Sequence, residues 1–188
     1  LDPKVADAIV QAADEVLAGK HMEHFIVDPY QAGAGTSHNM NVNEVLANRA
    51  NEILGAKRGE YKHVHPNDHV NMGQSTNDTI PTNIRLACLS QLPRLVEAFE
   101  ALHNALAAKG REFDNIIKAG RTHLQDAMPI RLGQEFAAYA GSIARGLQRV
   151  RQAADYLRDL GIGGSAVGTG VNVEPEYPRL MNKYLKQI

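Results

Sequence analysis

Two apolar seams constrain this chain more than any other feature. Leu92, Leu95, Phe99, Leu102 and Leu106 recur at steps of three and four, as do Leu132, Phe136, Tyr139, Ile143, Leu147, Val150, Ala154 and Leu157. That spacing is the stripe of a bundle or coiled-coil helix. It predicts long helices over 81–109 and 130–160, each about 40 Å long at ~1.5 Å per residue. Helices of this length gain most of their stability from packing. The expected fold class is therefore all-α, an extended long-helix bundle. Both seams cannot be buried within one chain, so self-association through them is expected. Pro93 lies inside the first seam and is expected to bend that helix locally.

The remainder of the chain reads as shorter elements. Asp2 and Pro3 are a cap and first-turn pair for a helix carrying Val5, Ile9, Ala12 and Val16, with Gly19 as its terminator. Phe25-Ile26-Val27 is too short for a helix and reads as a small β or irregular segment in the N-terminal part. A second helix carries Val42, Leu46, Ile53 and Leu54. The chain opens without a methionine and closes inside a helical pattern, the look of an internal piece of a longer protein. A net charge of −1 gives no electrostatic reason to expect nucleic acid. No apolar run approaches the ~20 residues of a membrane span. Cys88 is the single cysteine, so there is no disulfide framework, and a cytoplasmic setting is the natural inference.

Three polar stretches interrupt this pattern, each read as lying just before a helix. They are Gln31–Asn41, with Gly33 and Gly35; His65–Thr82, with Ser75, Thr76, Asn77 and Asp78 in succession; and Gly120–Ile130, with Thr122 and His123. A helix needs one capping residue, and the second stretch has four. Hydroxyls, amides and backbone N–H groups at the positive end of a helix suit a carboxylate or phosphate. Each stretch alone also reads as an ordinary polar loop, or as a glycine turn with a cap. Taken together, three such donor sets make a converged dicarboxylate site the more economical reading. His63, His65, Asp68 and His69 raise the question of a metal, but they lack the spacing of a zinc site, and no metal is expected. Gly161–Gly170 is glycine-rich, yet it lacks the lysine and hydroxyl of a phosphate loop.

Long motifs in these stretches resemble the fumarase/aspartase superfamily. They are Gly35-Thr36-Ser37-His38-Asn39-Met40-Asn41-Val42-Asn43-Glu44-Val45, then His65-Pro66-Asn67-Asp68-His69-Val70-Asn71 with Gln74-Ser75-Thr76-Asn77-Asp78, and Gly120-Arg121-Thr122-His123-Leu124-Gln125-Asp126-Ala127. Their order and spacing match across essentially the whole chain. Ser37, Thr76 and Leu124 stand where fumarases usually carry other residues, and all three lean toward the aspartate ammonia-lyases. The resemblance implies a lyase that eliminates ammonia from L-aspartate to give fumarate, without a cofactor. Fumarate hydratase is the alternative, and a non-catalytic helical scaffold is a third. By the same resemblance, Thr36, Ser75, Thr76 and Asn77 bind the substrate, while Thr122 and His123 are catalytic and grip its α-carboxylate. His65, Asn67 and Asp68 fall at a secondary anion site. The family's base lies on a Gly-Ser-Ser-x-Met-Pro loop that is not found here, and Ser165 belongs to a different motif. The resemblance further implies a homotetramer whose active sites are shared between subunits. Residues 1–60 then read as the end of an N-terminal helical region, and 61–188 as part of a central helical-bundle domain. The three stretches are expected to converge only between subunits.

Overall fold

The computed structural model describes residues 1–30 and 33–187. Gln31 and Ala32, which open the first polar stretch, lie outside the described residues, as does Ile188. The chain divides into two compact units, residues Leu1–Asn83 with Gly161–Ile188, and residues Ile84–Leu160. Residues 1–60 fall wholly in the first unit, while 61–188 are shared between the two.

The first unit is built on α1 (Pro3–Leu17) and α2 (Thr36–Ile53). The Asp2 carboxylate accepts from Lys4 N at 2.8 Å, Pro3 opens the first turn, and Gly19 follows the end at φ +82°. Ala8 and Ala12 of α1 pack on Ala47 and Ala50 of α2, with Val64 completing a buried cluster. Alanines at the contact let the two helices approach closely. Val5, Ile9, Leu46, Ile53, Leu54 and Val70 close the sides.

Asparagines on α2 hold the irregular chain around it. Asn51, which is fully buried, donates to Ala47 O at 2.8 Å and Val64 O at 2.7 Å, and accepts from His63 N and Val64 N. Asn41 accepts from Ile26 N and Val27 N and donates to His24 O. Of the β or irregular segment expected at Phe25–Val27, the structure shows the irregular form. A single turn of 3-10 helix, Met22–His24, precedes an extended run whose backbone is satisfied by a side chain instead of a partner strand.

The β structure lies elsewhere, in the second unit. There α3 (Thr76–Glu112), whose residues up to Asn83 belong to the first unit, is followed by a hairpin of β1 (Ile117–Thr122) and β2 (Gln125–Arg131), and then by α4 (Leu132–Tyr156). The antiparallel register runs from Ile117 opposite Arg131 to Thr122 opposite Gln125, with an irregularity between Ala119 and Arg121. His123 and Leu124 form the two-residue turn at φ +46° and +65°. Two positive φ values give a turn whose twist matches that of the strands. The third polar stretch is thus a hairpin leading into a helix, not a loop. It lacks the Asn-Gly or Asp-Gly that announces such a turn, so the sequence pattern hid it.

The two long helices are present, with α3 about 55 Å long at ~1.5 Å per residue. It starts earlier than expected because its cap is Ser75, not the residue before Pro81. Ser75 Oγ accepts from Asn77 N at 3.2 Å, and Asp78 Oδ1 accepts from Ser75 N at 3.1 Å, a capping box. The helix runs continuously through Pro81 and Pro93. Within the second unit α3 and α4 lie antiparallel. His103 Nδ1 is 3.0 Å from Ala140 O, Glu100 pairs with Arg151, and Phe113 meets the edge of Phe136 with ring centroids 5.2 Å apart. Gly133 sets the closest approach, since a Cβ there would stand 2.3 Å from Gly110 O. Leu147 and Ala154 of α4 are buried, whereas Leu95 (45%), Leu102 (48%) and Tyr139 (53%) stay exposed. Part of each seam therefore remains open. No helix among the described residues is long and apolar enough to cross a membrane. Back in the first unit, α5 (Tyr177–Leu185) follows the glycine-rich loop.

Candidate functional site

The first two polar stretches meet inside the first unit. Gly35 precedes α2 at φ +78°, and a Cβ there would stand 2.9 Å from Ile80 Cγ2 on α3. Only glycine allows both that backbone and that approach. One turn further on, the buried Asn39 donates to Thr76 Oγ1 at 3.2 Å and to Asn71 Oδ1 at 3.4 Å. Asn43, four residues on and on the same helix face, donates to Asn71 Oδ1 at 3.1 Å. The N-termini of α2 and α3 are thereby clipped side by side. The expectation that all three stretches meet only between subunits is corrected for these two.

Each of the four consecutive polar residues has its own task. Ser75 and Asp78 form the capping box, and Thr76 accepts from Asn39. Asn77 donates to Ala166 O at 2.8 Å. Asp78 is 4% exposed, and its second oxygen accepts from Gly163 N and Ser165 N, both at 2.9 Å. The carboxylate thus ties the glycine-rich loop to the start of α3. Ser165, at φ +59°, belongs to this tether.

These bonds leave donors over. Ser75 and Thr76 use their hydroxyl oxygens as acceptors, so each O–H is still available to donate. Asn77 spends one amide hydrogen on Ala166 and keeps another. Thr36, in the first turn of α2, is exposed. Thr36 at the start of α2, and Ser75, Thr76 and Asn77 at the start of α3, are thus neutral donors at helix N-termini, where partial positive charge favours an anion. Nearby, burial and the charge of Asp78 push the Tyr177 hydroxyl up to about 12.

Thr122 and His123 lie in the other unit, at the tip of the β1–β2 hairpin, where both are exposed. His65, Asn67 and Asp68 belong to a tight turn over Pro66–Val70. The His65 Nδ1 accepts from Asn67 N and Asp68 N at 3.3 and 3.4 Å, while His65 N donates to His69 Nδ1 at 2.7 Å. Both imidazoles thus spend Nδ1 on backbone N–H groups.

The sequence alone assigns no separate role to Asn39, Asn43 or Asn71, and to Asp78 none beyond capping. Their signals were present: Asn39 and Asn43 are one helix turn apart, and Ser75-x-x-Asp78 is a capping-box pattern.

A separate ion-pair network braces α1 on α2. Arg49 holds Glu15 with Nε at 2.7 Å and Nη2 at 3.0 Å, and His21 Nε2 lies 2.8 Å from the same carboxylate. Those bonds, Arg49 first, lower Glu15 from 4.5 to about 2. A depressed carboxylate contributes stability above its unfolded pKa, and this is lost as pH falls through the folded one. Glu15→Gln is expected to lower the melting temperature at neutral pH, with the gap to the parent closing as pH drops from 4.5 toward 2. Melts followed by circular dichroism across that range check this; a gap that persists at the acid end contradicts it.

Comparison with known proteins agrees with this geometry. The family described as Lyase matches residues 1–188. The aspartate ammonia-lyase of Bacillus subtilis (strain 168) is 53% identical over 184 residues, covering 98% of this chain and 39% of that protein. The class II fumarate hydratase of Nitrosomonas europaea is 52% identical over 180 residues, covering 95% of this chain and 39% of that protein. The crystal structure of fumarate lyase:delta crystallin from Brucella melitensis bound to cobalt superposes with a TM-score of 0.89 at 49% identity, covering all of this chain and 41% of that one. The chain spans about two fifths of the length of these relatives. With its whole length matched, and its two clipped helix N-termini built from the motifs that carry the likeness, the chain belongs to the lyase family, within the fumarase/aspartase superfamily.

Proposed function

We propose that the protein carrying this chain eliminates ammonia from L-aspartate to give fumarate. The observation that supports this is the pair of helix N-termini at Thr36 and Ser75–Asn77, clipped together by Asn39 with hydroxyl and amide donors to spare. A proton at Cβ of aspartate is hard to remove because the adjoining carboxylate is already charged. Neutral donors around that carboxylate stabilise the added charge of the aci-carboxylate as the proton leaves, the logic of an oxyanion hole. The electron pair from the C–H bond becomes the double bond. As that bond forms, the C–N bond breaks and the nitrogen leaves as ammonia with the C–N pair. Thr122 and His123, on the hairpin tip of another subunit, grip the α-carboxylate and orient the amine in this reading. The base comes from residues outside this chain, and no cofactor takes part.

Fumarate hydratase is the second reading, supported by class II fumarases at nearly the same identity. Both reactions remove a proton beside a carboxylate, so the donor set serves either. The open seams on α3 and α4 support a homo-oligomer, a tetramer in this reading.

The test is fumarate formation by the full-length protein from L-aspartate and from L-malate, compared with the His123→Asn variant. Asparagine tolerates the left-handed backbone of the turn. L-Aspartate is expected to be turned over. The variant is expected to lose on the order of 10²-fold in activity, the scale of one well-placed transition-state hydrogen bond, with its melting curve unchanged. The 188-residue chain alone is expected to be inactive, since donors do not replace a base. Turnover of L-malate alone selects the hydratase, and turnover of neither rejects both readings.

A further inference from the structure

We propose a divalent transition-metal site of the zinc type at His21, Glu23 and His24, between α1 and α2. The ligand atoms of these three side chains lie within 4.8 Å of one another. The turn that carries them explains the proximity. In a 3-10 helix residues i and i+3 eclipse, and His21 and His24 bracket one such turn with their rings nearly parallel, 14° apart. His24 N donates to His21 O and Phe25 N donates to Met22 O, so the turn is closed on itself. Asn41 of α2 then holds it in place by donating to His24 O at 3.0 Å.

The donors behind the turn are those a metal centre requires. A ligating histidine usually gives its other ring N–H to a carboxylate, which fixes the ring and raises its basicity. Glu15 stands in that role, 2.8 Å from His21 Nε2, and is itself clamped by two nitrogens of Arg49. With Nε2–H given to Glu15, Nδ1 is left as the lone pair for a cation. His21 sits at φ +64°, in the left-handed region that histidine enters more readily than most residues. The His21 side chain is 19% exposed, while His24 (43%) and Glu23 (70%) can rotate inward. Ligands around zinc stand roughly 3.3 Å apart at bonds of ~2.0 Å, so the closure needed is small and falls on the two mobile side chains. Two imidazoles and one carboxylate, with a fourth position open to water, suit zinc-like cations and discriminate against magnesium and calcium, which demand oxygen. The turn also opens on a cleft of about 220 Å³ lined by Asn41, Glu44, Asn48 and Arg49, so solvent and cation reach it.

Calorimetric titration of the full-length protein with zinc chloride tests the site. One zinc per chain at micromolar affinity is expected, with magnesium silent at the same concentration. His24→Ala and His21→Asn, the latter chosen because asparagine accepts the left-handed backbone, are expected to weaken that site by at least about 10-fold. Glu15→Gln weakens it as well, through the tautomer of His21. The double variant His63→Ala/His69→Ala serves as the control and retains it. Circular dichroism establishes that each variant is folded. Zinc binding unchanged in both His21→Asn and His24→Ala overturns the proposal, as does binding lost only in the control or absent at millimolar zinc.

Discussion

Asp78→Ala is expected to cost about 3–5 kcal/mol of stability and to suppress activity in the full-length protein. The carboxylate is buried and accepts from three backbone N–H groups, Ser75, Gly163 and Ser165. Alanine leaves all three without that acceptor, and each buried unmatched donor costs about 1–3 kcal/mol, less where the loop can open to water. Asp78→Asn separates shape from charge. It can satisfy either the cap or the loop but not both, because one of its two oxygens becomes a donor. A smaller loss, near 2 kcal/mol, is expected for it. Activity falls further than stability does. Asn77 is the neighbour of Asp78, and its amide is seated on Ala166 of the same loop, so freeing the loop unseats a proposed substrate donor. Urea unfolding with kcat and KM measured alongside checks both parts. A loss within about 0.5 kcal/mol, the scale of an ordinary surface change, would show that the tether carries nothing.

Asn51→Leu is the second large effect, expected at about 3–5 kcal/mol although leucine is close in volume. The amide of Asn51 uses both its donors and its acceptor twice over, on Ala47, His63 and Val64. Leucine would leave Val64 N and Val64 O facing a hydrocarbon, with Val64 fully buried. The chain from His63 to Val70 would lose its fastening to α2, and the turn at His65 with it. Asn51→Asp tests the mechanism, since it keeps the shape and the acceptors but sets a carboxylate oxygen against Val64 O at 2.7 Å. It should be at least as damaging as leucine at neutral pH. Chemical denaturation of the two variants decides the matter, and a mild leucine variant would mean that packing, not hydrogen bonding, holds this corner.

Much of the chain's organisation was legible because its signals are local. Asp2-Pro3, Gly19 and the three-four seams specify where α1 begins and ends and where long helices run, and the structure follows them. Ser75 and Asp78 were equally legible as a capping box, and reading them so would have started α3 at Thr76 instead of Pro81. The donors proposed for substrate, Thr36, Ser75, Thr76, Asn77, Thr122 and His123, were named from motifs. The lyase family follows from the same motifs, now matched along all 188 residues.

Other features depended on contacts between distant residues. Gly120–Ile130 could not announce a hairpin, because positive φ at His123 and Leu124 is imposed by strand pairing and neither residue prefers it. Phe25–Val27 had strand composition but no partner strand, and Asn41 supplied the hydrogen bonds instead. The sequence by itself determined the helices and their caps, because these rest on interactions within a turn or two. Only the tertiary structure decided which of the polar stretches meet. Asn39 reaches Thr76 across 37 positions, and Asp78 reaches Gly163 across 85. Such pairings become favourable only after the core of α1 and α2 has brought the backbones together and excluded the water that would otherwise satisfy them.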